Sequence, residues 1–228
     1  MKKLYLLLIL LFAFTQIAFG QTDIWTHTFE TSGGYTTSVA EFTDNGTDYF
    51  KRTDGSDISS AVVLTNLQGS YYFAAQDTDG DGNPTNLTLT FDDVNISTFS
   101  DLIFYVYLAE DDDGSNQDWD ATSYVHIDYD IDNSGSFSNL IHVEAAVDAT
   151  NQEPAIDTNY DGTGDGTAIT SAFTEFSKAI IGTGTVIDLR VTFNNLKNGD
   201  EDIALDNFRL AGTPSAGTPV MMISTATL

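Results

Sequence analysis

Along most of the chain, bulky and polar residues alternate one for one. Ile24 to Glu30 (IWTHTFE) does so, as do Tyr71 to Ala75, Leu87 to Phe91, Tyr124 to Ile131, Leu140 to Val147 and Val186 to Phe193. Side chains of a strand point alternately to its two faces, so this pattern predicts strands with one face buried and one wet. Thr, Val, Ile, Tyr and Phe fill these stretches, and turn residues separate them at short intervals. DLIFYVYLAED (101–111) is apolar on both faces and predicts a central strand covered on both sides. SAFTEFSKAII (171–181) comes nearest to a helical stripe, but Thr174, Phe176, Ile180 and Ile181 suit a strand better. Tyr71 and Phe73 fall on one face of their strand and Tyr72 on the other, a packing pattern; Trp25 is expected in the core.

About ten strands joined by long polar loops predict an all-β protein, an antiparallel β-sandwich of the jelly-roll kind, with a barrel as the alternative. The domain is expected to run over 22–212. From 213 to 228 the chain reads TPSAGTPVMMISTATL, linker chemistry with a short apolar end, either a tail or the approach to further domains of a longer chain. The first twenty residues read as a secretory signal peptide. Lys2 and Lys3 precede an apolar run from Leu4 to Phe14, and Ala18-Phe19-Gly20 supplies the small residues of a cleavage site. The run is short of the ~20 apolar residues of a membrane span, so no membrane insertion is expected. The expected location is extracellular or cell-surface, with the periplasm as the alternative.

Charge then changes the picture. The chain has 8 basic and 34 acidic residues, a net charge of −26, and loss of the leader with its two lysines makes it more negative still. Nucleic-acid backbones would be repelled. There is no cysteine, so stability must come from packing or bound ions. Aspartates number 27 against 7 glutamates, and Asp favours turns and cation sites. A solvated acidic surface explains many of them, but not their clustering in Gly- and Asn-containing loops.

Asp77, Asp79 and Asp81, followed by Gly82, form the first half of an EF-hand-type calcium loop. Asp157, Asn159, Asp161 and Asp165 form a second. Both lack the closing glutamate, with Thr88 and Ala168 at that position. Each is either a Ca²⁺ site or a plain solvated turn. A third run, Asp128 to Gly135, continues a strand and reads as a hairpin turn, and the adjacent Asp111 to Asp113 cannot easily converge on one ion.

A resemblance enters with HTFET (27–31), NGDEDIALDNFRLAG (198–212) and DWDATSYVHIDYDID (118–132). These look like the first, last and middle strands of a jelly-roll module of secreted Bacteroidetes-type proteins, similar to MAM-like domains and carbohydrate-binding modules. The resemblance spans most of 22–212. It implies a structural calcium tying the first strand to the last, with Glu30 and Asp206 as side-chain ligands and backbone carbonyls nearby. The local pattern agrees. Ile203 and Leu205 alternate with polar neighbours, then Phe208 and Leu210 continue one residue out of step, which predicts a bulge at Asp206-Asn207.

Enzyme signatures such as G-x-S-x-G, H-E-x-x-H or a phosphate-cradling loop are absent, and no catalysis is expected. His126 and His142 are expected as cross-strand neighbours, a surface pair rather than a transition-metal site. Trp119, Tyr124 and Tyr160 are candidates for an aromatic platform that stacks on sugar rings, although Trp119 could instead fold back over the sandwich end. The expected function is a non-catalytic, calcium-stabilised module that binds glycan or another surface ligand. The alternative is a structural spacer of a longer secreted protein.

Overall fold

The computed structural model describes residues 20–215, apart from 45, 60–61, 80–81 and 112–118. Residues 1–19 and 216–228, and with them most of the leader and of the tail, lie outside the described residues. Thirteen strands run through the rest. They are β1 (Thr22–His27), β2 (Thr36–Thr37), β3 (Phe42–Asp44), β4 (Asp48–Thr53), β5 (Tyr72–Gln76), β6 (Asn86–Asn95) and β7 (Phe99–Ala109). They continue with β8 (Tyr124–Ile131), β9 (Ser138–Ala145), β10 (Pro154–Asp157), β11 (Thr174–Ala179), β12 (Val186–Asn194) and β13 (Asp202–Pro214).

The strands form two antiparallel sheets. One runs β11-β7-β13-β5-β4-β3, with β1 also on β13; the other runs β10-β9-β8-β12-β6-β2. The period of two does the sorting. Leu87, Leu89 and Phe91 of β6, Val125 and Ile127 of β8, and Leu189, Val191 and Phe193 of β12 point inward. They meet Leu102, Phe104, Val106 and Leu108 of β7 and Leu205, Phe208 and Leu210 of β13 in one buried cluster. Two sheets sharing one core make the β-sandwich that the alternation predicts.

Three readings are corrected. The strand expected to reach Glu30 ends at His27, because Phe29 takes a positive φ of 55° to send its ring into the core. The strand at 101–111 is central, but its second apolar face is only half covered, with Ile103, Tyr105 and Tyr107 partly exposed. Trp25 packs against the core without being sealed in it. Tyr72 does face away from Phe73, into a second, smaller cluster with Tyr49, Ile58 and Phe173 on the outer side of the first sheet.

Candidate functional site

Glu30 and Asp206 meet because β13 changes partner. Its residues 202–205 pair with β5 and its residues 208–212 pair with β1, so β5 and β1 lie end to end along one edge. Asp206 and Asn207 fall in the gap. There the pairing with β7 slips between Asp206 and Arg209, and Asn207 has φ 47°. This is the bulge expected from the sequence. Glu30, just past β1, and Gly69-Ser70, just before β5, close over the same gap. Glu30 Oε1 accepts from Ser70 N (2.6 Å) and Tyr71 N (3.0 Å). A Cβ on Gly69, at φ 146°, would fall 2.1 Å from that oxygen, so glycine is needed there. Arg52 donates to the carbonyls of Phe29 and, at 2.9 Å, Glu30.

The two carboxyls are tuned in opposite directions. The Ser70 and Tyr71 amides hold Glu30 below the usual carboxylate range, with help from Arg52. Burial pushes Asp206 up to about 7, and the Glu30 charge adds to it against the Asn207 and Gln68 amides. Asp206 is fully buried. Its Oδ1 accepts from Asn207 N at 2.6 Å, whereas no donor meets Oδ2 with hydrogen-bond geometry, the Gln68 amide acting on the carboxyl only electrostatically. A closed-in carboxylate oxygen without a partner is costly unless a proton or a cation completes it. Hard oxygen donors of this kind fit Ca²⁺.

The aspartate turns differ. Asp157 Oδ1 accepts from the amides of Asn159 (3.1 Å) and Tyr160 (2.6 Å), and Oδ2 accepts from Gly162 N (2.9 Å). Asp165 Oδ1 accepts from Thr158 N (2.8 Å) and its Oδ2 from Asn159 Nδ2 (3.1 Å). Asn159 Oδ1 and Asp161 Oδ1 accept from Asp161 N and Thr163 N. The loop therefore satisfies its own acids, and its folding does not call for an ion. Asp77 is pushed up to about 6 by burial and by the charges of Asp48 and Asp79. Asp81 lies outside the described residues.

The expected aromatic platform is not assembled. Trp119 is 0 % exposed, in the core. Its backbone bridges to Gln152 and its indole N–H donates to Asp202 O at 3.2 Å. It offers no face to a ligand and covers the sandwich end instead. Tyr160, half-buried, donates its hydroxyl to Leu140 O at 3.0 Å. Tyr124 keeps a partly exposed ring on the outer face of the second sheet.

Between the two tyrosines lies what the sequence only half revealed. His126 and His142 sit directly opposite across β8 and β9, with rings stacked at 3.6 Å and 5°. Tyr124 stacks on His126 at 3.9 Å, and Tyr160 stands edge-on to His142 at 4.9 Å. His126 Nε2 is hydrogen-bonded to Glu144 Oε1, and His142 Nε2 lies 2.9 Å from Asp128 Oδ1. Arg190 Nη2 stands 3.6 Å from Asp128 Oδ2. The cross-strand pairing was expected; the burial of His142 was not, since 6 % exposure makes it no surface residue. Nothing local distinguishes Glu144 among 34 acids, and the sequence reads Asp128 only as the start of a hairpin-turn run.

The same face of this sheet carries Asn86, Thr88 and Thr90 from β6 and Arg190, Thr192 and Asn194 from β12, aligned by the strand register. All six are at least partly exposed, while their in-strand neighbours are buried.

No protein-family model and no curated protein matches the chain. Among solved structures, it is similar to the CBM22-1 xylan-binding domain from Paenibacillus barcinonensis Xyn10C, at 12 % identity and TM-score 0.44, over 88 % of this chain and 99 % of that one. It is also similar to the K1 cleaved adhesin domain of Lys-gingipain from Porphyromonas gingivalis W83, at 14 % identity and TM-score 0.42, over 87 % and 99 %. A third is a Stig cyclase from Fischerella sp. TAU, at 12 % identity and TM-score 0.48, over 86 % and 91 %. None of these likenesses transfers a ligand or an activity to the chain.

Proposed function

We propose that the chain is an exported, non-catalytic recognition module that binds glycan on the outer face of its six-stranded sheet. The observation that carries this reading is that face itself. One partly exposed aromatic ring, Tyr124, borders an open field of threonine, asparagine and arginine side chains on rigid strands. Sugar rings stack on aromatic faces and take hydrogen bonds from such groups. The two acids pushed furthest up, Asp202 and Asp206, are closed off from solvent at 4 % and 0 % exposure, so neither can reach a substrate. That supports a binding rather than a hydrolytic role.

In this reading Ca²⁺ is held at the β13 junction by Glu30 and Asp206. It completes the unpartnered Asp206 oxygen and fastens the segment after β1 to β13 and to the start of β5. It shapes the module without touching the ligand. Export follows from the leader-like first twenty residues.

A glycan array probed with the mature chain in millimolar CaCl₂ tests the proposal. Binding to at least one glycan class is expected, with loss of at least about tenfold in affinity on Tyr124→Ala and an unchanged fold. An array blank with a folded wild-type chain would refute it and leave the spacer reading, which the burial of Trp119 favours.

A further inference from the structure

We infer that His126, His142 and Glu144 form a binding site for a transition-metal dication of the Zn²⁺, Ni²⁺ or Cu²⁺ class. It is separate from the proposed calcium site at the β13 junction and needs no glycan to form, although Tyr124, the proposed sugar-stacking ring, lies on His126.

Their positions follow from the hairpin. Residues directly opposite in an antiparallel pair stand close on one face. His126 faces His142 and Tyr124 faces Glu144, so the imidazoles and the carboxylate share one patch. One ligand atom from each of the three lies within 4.8 Å of the others, the only such trio of acid or imidazole donors among the described residues. Two imidazoles and one carboxylate suit these metals, whereas calcium prefers an all-oxygen shell.

The surroundings are those of a supported site. A register shift after Ile127 sets Asp128 opposite Asn139 and brings it to His142. The Asp128 contact engages His142 Nε2 and leaves Nδ1 as the nitrogen free to ligate; a carboxylate behind a ligating imidazole fixes its tautomer and orientation. Arg190 in turn holds Asp128. His142 and Glu144 are buried, at 6 % and 4 %, while the His126 side chain keeps 21 % exposure and leaves an approach from solvent. Glu144 Oε1 is hydrogen-bonded to His126 Nε2, so the two candidate ligand atoms already face each other. For the in-plane lone pairs of both imidazoles to meet on one ion, the His126–His142 stack has to open by rotation of one ring; the metal then bonds each nitrogen at about 2.0–2.1 Å and the Glu144 oxygen at about 2.0–2.2 Å. The fourth position stays open to water or to a donor from a partner.

The test is metal titration of the mature chain with ZnCl₂, in millimolar CaCl₂ to saturate the acidic surface, followed by the visible spectrum of the Co²⁺-loaded protein. One Zn²⁺ per chain and a four-coordinate Co²⁺ band are expected. His126→Gln and Glu144→Gln should each weaken Zn²⁺ by at least about tenfold, and Asp128→Asn by about tenfold through orientation alone. No stoichiometric Zn²⁺ binding to the folded wild type would overturn the inference, as would binding unchanged in both His126→Gln and Glu144→Gln. If a variant misfolds, the wild-type Co²⁺ spectrum decides by itself. No glycan enters these readouts, so a blank array leaves them unaffected.

Discussion

The acids of β13 and the acids of the turns share a chemistry but not a situation. Asp130 accepts from Ser134 N (3.1 Å) and Gly135 N (2.7 Å), and Asp132 from Thr185 N (2.7 Å) and Val186 N (3.2 Å). These contacts, led by the Ser134 hydroxyl and the Thr185 amide, lower both pKa values, and the Thr158 amide does the same for Asp165. Asp130, Asp132 and Asp165 are each matched by the backbone they organise, whereas Asp77 is pushed up by burial and by neighbouring acids. On β13, burial outweighs the few available donors and drives Asp202 up to about 8 and Asp206 to about 7. Crowding of acids is therefore a poor guide to an ion site. An oxygen that the chain leaves without a donor is a better one.

The largest effect expected from this contrast is in pH dependence. The folded-state pKa of Asp202 is raised to about 8 from an ordinary 3.8. The folded state then holds a proton that the unfolded chain has released. Its contribution is complete below about pH 4 and is lost as pH rises to about 8. The lowered turn acids Asp130, Asp132 and Asp165 act with the opposite sign, since their contribution is present above about pH 4 and lost below it. Denaturant unfolding across pH 3–9 should give a dome whose alkaline limb is led by Asp202, with Asp206 contributing up to about pH 7 and Asp77 up to about pH 6. Asp202→Asn keeps an acceptor for Asp111 N and should flatten that limb, leaving the variant more stable than wild type at pH 8. An alkaline limb unchanged in the variant would break the contrast at Asp202.

Next in size is calcium. An ion at ~100 times its dissociation constant adds about 2.7 kcal/mol, and a domain of this size moves roughly 2–4 °C per kcal/mol. Chelation should lower the melting temperature by roughly 5–10 °C, and Asp206→Asn should abolish that response. A melting curve indifferent to calcium in the wild type would remove Glu30 and Asp206 as ligands.

How far the sequence carried these readings depends on pattern length. Strands long enough to alternate several times, β6 to β9 and β12, were legible, and so was the slip at Asp206-Asn207. β2 and β3 have two and three residues, too few for a period. β4 reads DYFKRT, where Lys51 and Arg52 break the alternation; Lys51 pairs with Asp57 and Arg52 reaches the carbonyls of Phe29 and Glu30. Trp119 was misread as a platform because its neighbours Asp118 and Asp120 look like solvent. The contact that buries it, with Asp202 O, is 83 residues away. The pairing of Glu30 with Asp206 came from resemblance, since no local signal says that β1 and β5 abut on β13. His126 and His142 were placed by register alone, but their acids could be found only in three dimensions.

The smallest effect sharpens the contrast from the other side. Asp157 is buried at 2 % and spends both oxygens on three amides of its own loop. In Asp157→Asn one oxygen becomes an amide group. If the remaining oxygen keeps Asn159 and Tyr160, the new N–H₂ faces Gly162 N–H, donor against donor. Losing one charged hydrogen bond in a part-buried loop costs about 2 kcal/mol, somewhat less than the calcium term. The cost should be the same with Ca²⁺ as with chelator, and it should add to that of Asp206→Asn, because the two carboxyls share no partner. Thermal melts of the two single variants and the double variant, each with and without Ca²⁺, measure this. If Asp157→Asn took away the calcium response, the self-satisfied loop would itself be the ion site, and the unpartnered oxygen on β13 would need a proton and nothing more.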